Sequence, residues 1–224
     1  MSGSDPSLML LPGGKGATLW RRNGPGGGTG GQSARFDPRA RVWVPGEAAG
    51  KGGRVLSLEE AVTWLQRESG ARLRPPIGVI GSREAGPADL ALAEEIGRDL
   101  ARLGLVLLCG GKGGVMERAC RGTEAEGGVA VGLLPDDHWS GANPHVTVPL
   151  ASGIGVARNA IIARAAFVIL VVAGGYGTLS EMAFGLQFGR PVITLPSAPR
   201  VPGATDCPDW ATARAELCRR VLTL

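Results

Sequence analysis

From Ile77 to Leu195 short apolar runs alternate with helical periodicities, and most of the runs end in glycine or proline. The runs are Ile77-Gly78-Val79-Ile80, Leu105-Val106-Leu107-Leu108-Cys109, Val129-Ala130-Val131-Gly132-Leu133-Leu134, Ala165 to Ala173, and Pro191-Val192-Ile193-Thr194-Leu195. Uninterrupted apolar runs of this length suit strands covered on both faces. Between them, Pro87 opens a helix that turns Leu92, Ile96, Leu100 and Leu103 inward and stops at Gly104. A second helix runs to about Ala125, a third lies within Ala151 to Ala165, and a fourth pattern covers Met182 to Phe188. Residues 136–144 read as a polar loop and His145-Val146-Thr147-Val148 as a short strand. Pro208 opens a terminal helix with Trp210, Leu217 and Val221 inward. Right-handed crossovers turn this order into an α/β protein, a Rossmann-like doubly wound parallel sheet with helices on both faces.

The chain divides into three stretches. Residues 1–53 hold 14 of the 37 glycines, and Gly24 to Gly31 cannot bury enough surface to offset its ordering entropy. That segment reads as a glycine-rich, flexible extension with a short strand at Val42-Trp43-Val44. Its glycine run has no strand before it and no helix after it, so it is no dinucleotide fingerprint. Residues 54–76 read as an accessory helix and linker: Ser57-Leu58-Glu59-Glu60 is a capping box, and Leu58, Ala61, Val62 and Leu65 share one helical face. Residues 77–224 form the main domain.

Net charge is +4, but residues 1–75 carry 11 Lys/Arg against 6 Asp/Glu, while the rest carries 13 against 14. The main domain has no basic stripe for nucleic acid, and the arginines of the extension have little aromatic interleaving for base stacking. No apolar run spans a bilayer, and Met9-Leu10-Leu11 is too short for a signal peptide, so a cytoplasmic protein is expected. Cys109, Cys120, Cys207 and Cys218 lack CxxC spacing and are read as reduced, mostly buried thiols. Asp136, Asp137 and His138 are adjacent, and adjacent residues rarely face one ion, so no metal site is expected.

Three glycine-bearing turns fall at the carboxyl edge of the sheet, where such folds bind ligands. They are Gly81-Ser82, Gly110 to Gly114 with Met116 following, and Gly174-Gly175-Tyr176-Gly177-Thr178. Glycines let backbone approach an anion, and a helix start offers free N–H groups and a positive dipole end. Their convergence predicts a phosphate-bearing ligand. Lys112 is not followed by a Gly-Lys-Ser/Thr sequence, and the first turn is not GxGxxG, which disfavours Walker and NAD binding. Glu181 is placed on the first turn of the helix after Gly174, where a carboxylate beside phosphate suggests contact with the neighbouring group. Arg158 reads as an anion contact, Asn159 as a ligand contact or loop anchor, and Arg164 as structural. Tyr176 stacks on a base or covers the turn.

At these residues the chain resembles the LOG-like Rossmann superfamily, once labelled lysine decarboxylase-like. The hallmark PGGxGTxxE reads here Ala173-Gly174-Gly175-Tyr176-Gly177-Thr178-Leu179-Ser180-Glu181. Cys109-Gly110-Gly111-Lys112-Gly113-Gly114-Val115-Met116 is similar to its YGGGxxGLM segment, and Gly127 to Pro135 to its GGxVIGVIP strand. The resemblance covers about residues 77–195. It implies one of two activities. Phosphoribohydrolases of the superfamily split nucleoside 5′-monophosphates into base and ribose 5-phosphate, which gives Arg158 and Glu181 catalytic roles. Three departures weaken that reading: Asn159 replaces a Lys, Ala173 a Pro and Ala166 an Asp. Ala157-Arg158-Asn159 looks more like the branch of molybdenum cofactor carrier proteins, which hold a molybdopterin-type ligand by its phosphate. The resemblance therefore implies a binder of a phosphorylated nucleotide or pterin, with no required cofactor and the molybdenum cofactor as a candidate cargo. Gly81, Ser82, Gly110, Gly111, Gly114, Met116, Asn159, Gly174, Gly175, Tyr176, Gly177 and Thr178 are the candidate ligand contacts. A nucleotide-sensing interaction module is the third reading. The superfamily also implies a homodimer or higher oligomer, for which Ile154, Ile161 and Ile162 are candidate contacts.

Overall fold

A computed structural model describes residues 7–13, 16–22, 33–47, 53–71 and 73–224. The chain separates into two compact units, one of Met1–Leu73 with Cys218–Leu224 and one of Arg74–Leu217.

The first unit corrects the expectation of a flexible extension. Strands β1 (Ser7–Gly13), β2 (Gly16–Arg22), β3 (Ser33–Asp37), β4 (Val42–Pro45) and β5 (Arg54–Leu56) form an antiparallel sheet in the order β4-β3-β2-β1-β5. The composition of the whole segment hid this, because its glycines gather between the strands and only Gly13 and Gly16 fall within them. Gly13-Gly14-Lys15-Gly16 between two apolar-rich stretches is a hairpin signal that the averaged composition obscured. The Gly24 to Gly31 run lies outside the described residues. Leu8, Leu11, Leu19, Ala34, Phe36 and Leu56 are buried, and Phe36 meets Trp43 edge-on at 4.9 Å. Trp43 Nε1 donates to Leu222 O at 2.7 Å, and Arg41 Nη2 to Val221 O at 3.0 Å. Helix α1 (Leu58–Arg67) starts with the capping box intact: Glu60 N donates to Ser57 Oγ and Ser57 N to the Glu60 carboxylate. Extension and accessory helix thus belong to one unit, and residues 218–224 are counted with it rather than with the main domain.

The second unit is the expected Rossmann-like fold. Its strands are β6 (Ile77–Ile80), β7 (Leu107–Cys109), β8 (Ala130–Leu134), β9 (Val148–Ala151), β10 (Val168–Ala173), β11 (Val192–Ser197) and β12 (Thr205–Asp206). All pair in parallel, in the order β12-β11-β10-β6-β7-β8-β9. The helices are α2 (Pro87–Arg102), α3 (Val115–Ala125), α4 (Arg158–Ala165), α5 (Tyr176–Gln187) and residues 210–217 of α6 (Trp210–Val221), whose last four residues are counted with the first unit. Side chains of a strand alternate between faces. Ile80, Ile169 and Val171 therefore join Ile162 and Ala163 of α4 and Met182 of α5 in one core cluster. The helices α2 and α3 pack against β6, β7 and β10 and against each other. At that helix pair a Cβ on Gly97 would meet Ala119 O, and one on Gly122 would meet Glu94 O, so only glycine permits the approach. Buried Asp99 of α2 accepts from Trp210 Nε1 and from Arg214 Nη1, each at 2.8 Å, and so ties α6 down.

The strand placed at 145–148 is displaced. The chain pairs with β8 from Val148 to Ala151 instead, and a single 3-10 turn, Gly155–Ala157, precedes α4. His145 is instead drawn to Glu124 at 2.6 Å, and Thr147 Oγ1 accepts from Ala130 N at 3.1 Å. Strand β12 had no apolar run to announce it. No helix among the described residues is long and apolar enough to cross a membrane.

Candidate ligand site

The chain runs β6 to β9 outward on one side of the sheet, then returns to β10 on the other side of β6. The crevice beyond the carboxyl ends of β6 and β10 is therefore the switch point at which doubly wound sheets take ligands. A cavity of about 250 Å³ lies there, lined by residues 81–83, Met116, Val156, Arg158, Asn159, Gly175, Gly177, Thr178 and Glu181.

Gly175 has extended backbone and caps α5, whose first internal bond runs from Leu179 N to Gly175 O at 2.9 Å. Tyr176, Gly177 and Thr178 thus form the first helical turn, with N–H groups that find no acceptor inside the helix. Placing the helix pattern from Met182 started it six residues late, because three glycines among the five residues 174–178 read as loop. Glu181 consequently stands on the second turn, not the first, and faces inward. Only 7% of it is exposed. Burial raises its pKa to about 7 against the opposing pull of Arg158. Gly174 is packed under this turn, where a Cβ would strike the Thr178 side chain.

Arg158 begins α4 and is likewise 7% exposed. Its Nη2 donates to Gly110 O at 3.4 Å, its Nη1 donates to Asn159 Oδ1, and Nη1 lies 3.7 Å from Glu181 Oε1. Its buried Nε has no hydrogen-bond partner. Asn159 Nδ2 donates to Gly177 O at 3.3 Å and to Ser180 Oγ at 2.9 Å, fastening α4 to the first turn of α5. Asn159 is thus an anchor of that turn as well as a wall of the cavity.

The three glycine turns contribute unequally. Gly81, Ser82, Met116, Gly175, Gly177 and Thr178 line the cavity. Gly110, Gly111, Gly114 and Gly174 are not among its lining residues. Gly110 receives Arg158, Gly111 packs on Leu134, and Gly114, at φ +71°, lies against the Arg83 backbone at the start of α3. Tyr176 is 93% exposed and also absent from the lining. Arg83 and Val156 line it and were not singled out from sequence. Arg83 was within reach, since it directly follows Gly81-Ser82. Val156, on the 3-10 turn before α4, carried no signal. Lys112, inside the second turn, reaches away to Asp136 Oδ2 and Gly141 O, both at 2.7 Å. His138 bonds locally to Ser140. Cys109, which precedes Gly110, has its Sγ 3.5 Å from Cys120 Sγ, and all four cysteines are free and buried. The neighbouring Cys120 thiol and burial together hold the Cys109 thiol well above its ordinary pKa.

The family model of the SLOG cluster4 family matches residues 74–214. The chain belongs to that family. It is therefore a LOG-like Rossmann protein. An uncharacterized protein of Archaeoglobus fulgidus is 39% identical over 119 residues, which cover 53% of this chain and 78% of that protein. Among solved structures, the molybdenum cofactor binding protein from Rippkaea orientalis is 33% identical, with a TM-score of 0.55 over 67% of this chain and 88% of that one. A molybdenum cofactor carrier protein from Chlamydomonas reinhardtii is 30% identical, with a TM-score of 0.62 over 68% of this chain and all of that one. These likenesses support ligand binding by this SLOG protein.

Proposed function

We propose that this SLOG protein binds a phosphorylated nucleotide or molybdopterin-type ligand as cargo, with the phosphate on the first turn of α5. The observation that carries the reading is the cavity at the switch point, where that helix start opens beside Ser82. Free backbone N–H groups and the positive end of a 12-residue helix favour an anion there. The unpartnered Nε of Arg158 adds a buried donor at the same cavity. Asn159 donates to Gly177 O and Ser180 Oγ and so organises the turn on which the phosphate would sit. In this reading Glu181 and Arg158 contact the part of the ligand beyond the phosphate.

The second reading, hydrolysis of a nucleoside 5′-monophosphate, is favoured by one observation. A buried carboxyl with a pKa of about 7, 3.7 Å from an arginine, is suited to acid–base work on a glycosidic bond. Incubation with AMP, GMP, CMP and an N6-substituted AMP, with chromatography of free base, separates the two. The carrier reading expects no base from any of them, and Glu181→Gln within about tenfold of wild-type affinity. Base release that Glu181→Gln abolishes establishes the hydrolase and retires the carrier.

Self-association belongs to the same proposal. Ile162 is in the core, but Ile154 and Ile161 are exposed, as is Phe184 of α5. Light scattering after gel filtration should give a dimer or larger, and Ile161→Asp should shift it toward monomer.

A further inference from the structure

The cavity has more positive charge than its buried residues account for. Arg158 is already committed to the Gly110 carbonyl, the Asn159 amide oxygen and the nearby Glu181 carboxylate. Arg83, on the turn after β6, also lines the cavity, yet it makes no ion pair or side-chain hydrogen bond among the described residues. Its field reaches one group in the cavity and one outside it. Arg158, whose pKa is lowered chiefly by burial, is pushed lower by repulsion from Arg83, and Asp136, held down mainly by Lys112, is lowered further by the attraction. Asp136 does not neutralise Arg83, because it already holds Lys112 at 2.7 Å.

The turn that carries Arg83 is fixed from below. Ser82 O accepts from Val115 N at 3.1 Å, and Ser82 Oγ accepts from Glu84 N at 3.0 Å. Gly114 lies so close to the Arg83 carbonyl that any Cβ there would collide with it. The start of α3 therefore sets where residue 83 stands, while its long side chain stays exposed at the cavity mouth. A fixed base and an uncommitted guanidinium suit Arg83 to meet an anion in the cavity that the start of α5 also lines. Arg83, Arg158 and the helix dipole together offer more than two positive charges against at most one negative charge from Glu181. That balance suits a phosphate monoester, which carries −1.5 to −2 at neutral pH, better than a singly charged diester.

We propose that Arg83 is the specificity residue for a terminal phosphate monoester: it meets the dianion from the cavity mouth. This rests on the phosphorylated-ligand reading above. The test uses the full chain and two probes, inorganic phosphate and GMP, with guanosine as the uncharged control, all titrated by calorimetry. Wild type should bind phosphate and prefer GMP to guanosine. In the Glu181→Gln background, which removes the cavity carboxyl that ionises near 7 and would oppose it, phosphate affinity should rise with pH as phosphate takes its second negative charge. Arg83→Gln should bind both anions about tenfold more weakly, the worth of one charge-assisted hydrogen bond. Added to Glu181→Gln it should lose most of the rise with pH, and it should leave guanosine unchanged. Arg83→Lys should recover part of both. The exposed Glu84→Gln should change neither. If Arg83→Gln retains wild-type affinity and, added to Glu181→Gln, the full rise with pH while wild type still prefers GMP, the assignment of Arg83 falls and the phosphorylated-ligand reading stands. If wild type binds neither phosphate nor GMP in preference to guanosine, both fall.

Discussion

The two units solve the same problem in opposite ways. In the parallel unit β6 and β10 are buried along their whole length and helices pack on both faces of the sheet. In the antiparallel unit β4 and β5 are edge strands with exposed valines, Val42, Val44 and Val55. Burial on both faces leaves a plain mark in sequence, a run of apolar residues. Burial on one face leaves only short alternations, and glycine-rich connections swamp them. The contrast also separates roles: the candidate ligand site lies wholly within the parallel unit.

The difference can be tested by substitutions of graded effect. Gly97→Val should be the most damaging, about 3 kcal/mol in urea unfolding, because its side chain must enter backbone atoms of α3. A loss under 1 kcal/mol would mean that α2 and α3 are not locked together. Gly70→Ala in the antiparallel unit meets open space and costs only the strain of φ +74°, about 1 kcal/mol. Tryptophans report on both units, since Trp20, Trp43 and Trp64 lie in one and Trp139 and Trp210 in the other.

Glu181 should give the parallel unit a loss of stability with rising pH, opposite in sense to the lowered carboxylates Asp37 and Glu60 of the other unit. Its pKa is raised in the fold to about 7 from 4.5, so the folded state binds the extra proton between those values. The associated stability is complete below pH 4.5 and is lost as pH rises through 7. Between pH 5 and pH 8 this amounts to about 2 kcal/mol. Glu181→Gln should remove that part of the slope in urea titrations at the two pH values. An unchanged slope would show that Glu181 is ionised throughout. A comparably small effect is expected at the capping box: Ser57→Ala should cost about 1 kcal/mol, seen as a lower midpoint with unchanged m value.

What the sequence revealed follows from these physical marks. The strands β6, β7, β8, β10 and β11, the Pro87 helix start and the capping box at Ser57 were legible from local pattern. Glu181 and Arg158 were singled out by motif, but their burial was not, since it depends on α4 and α5 crossing. Gly110 and Gly174 were read as ligand contacts, but neither lines the cavity, and each makes room for a side chain, Arg158 and Thr178 respectively. A glycine signal records close approach without saying whose. Arg83 follows a turn the sequence did single out, but the contact that holds its backbone comes from Gly114, 31 residues later in the chain.

The thiol pair beneath the second turn has a practical consequence. Cys109 ends β7 and Cys120 sits mid-way along α3, and neither sulfur has a path to solvent while strand and helix stay packed. A thiol reagent can reach them only when that packing opens. Their alkylation, followed peptide by peptide in a mass spectrometer, is therefore a clock for opening directly beneath the cavity. A phosphorylated ligand that binds there should slow it in proportion to occupancy, with no label or engineered residue required.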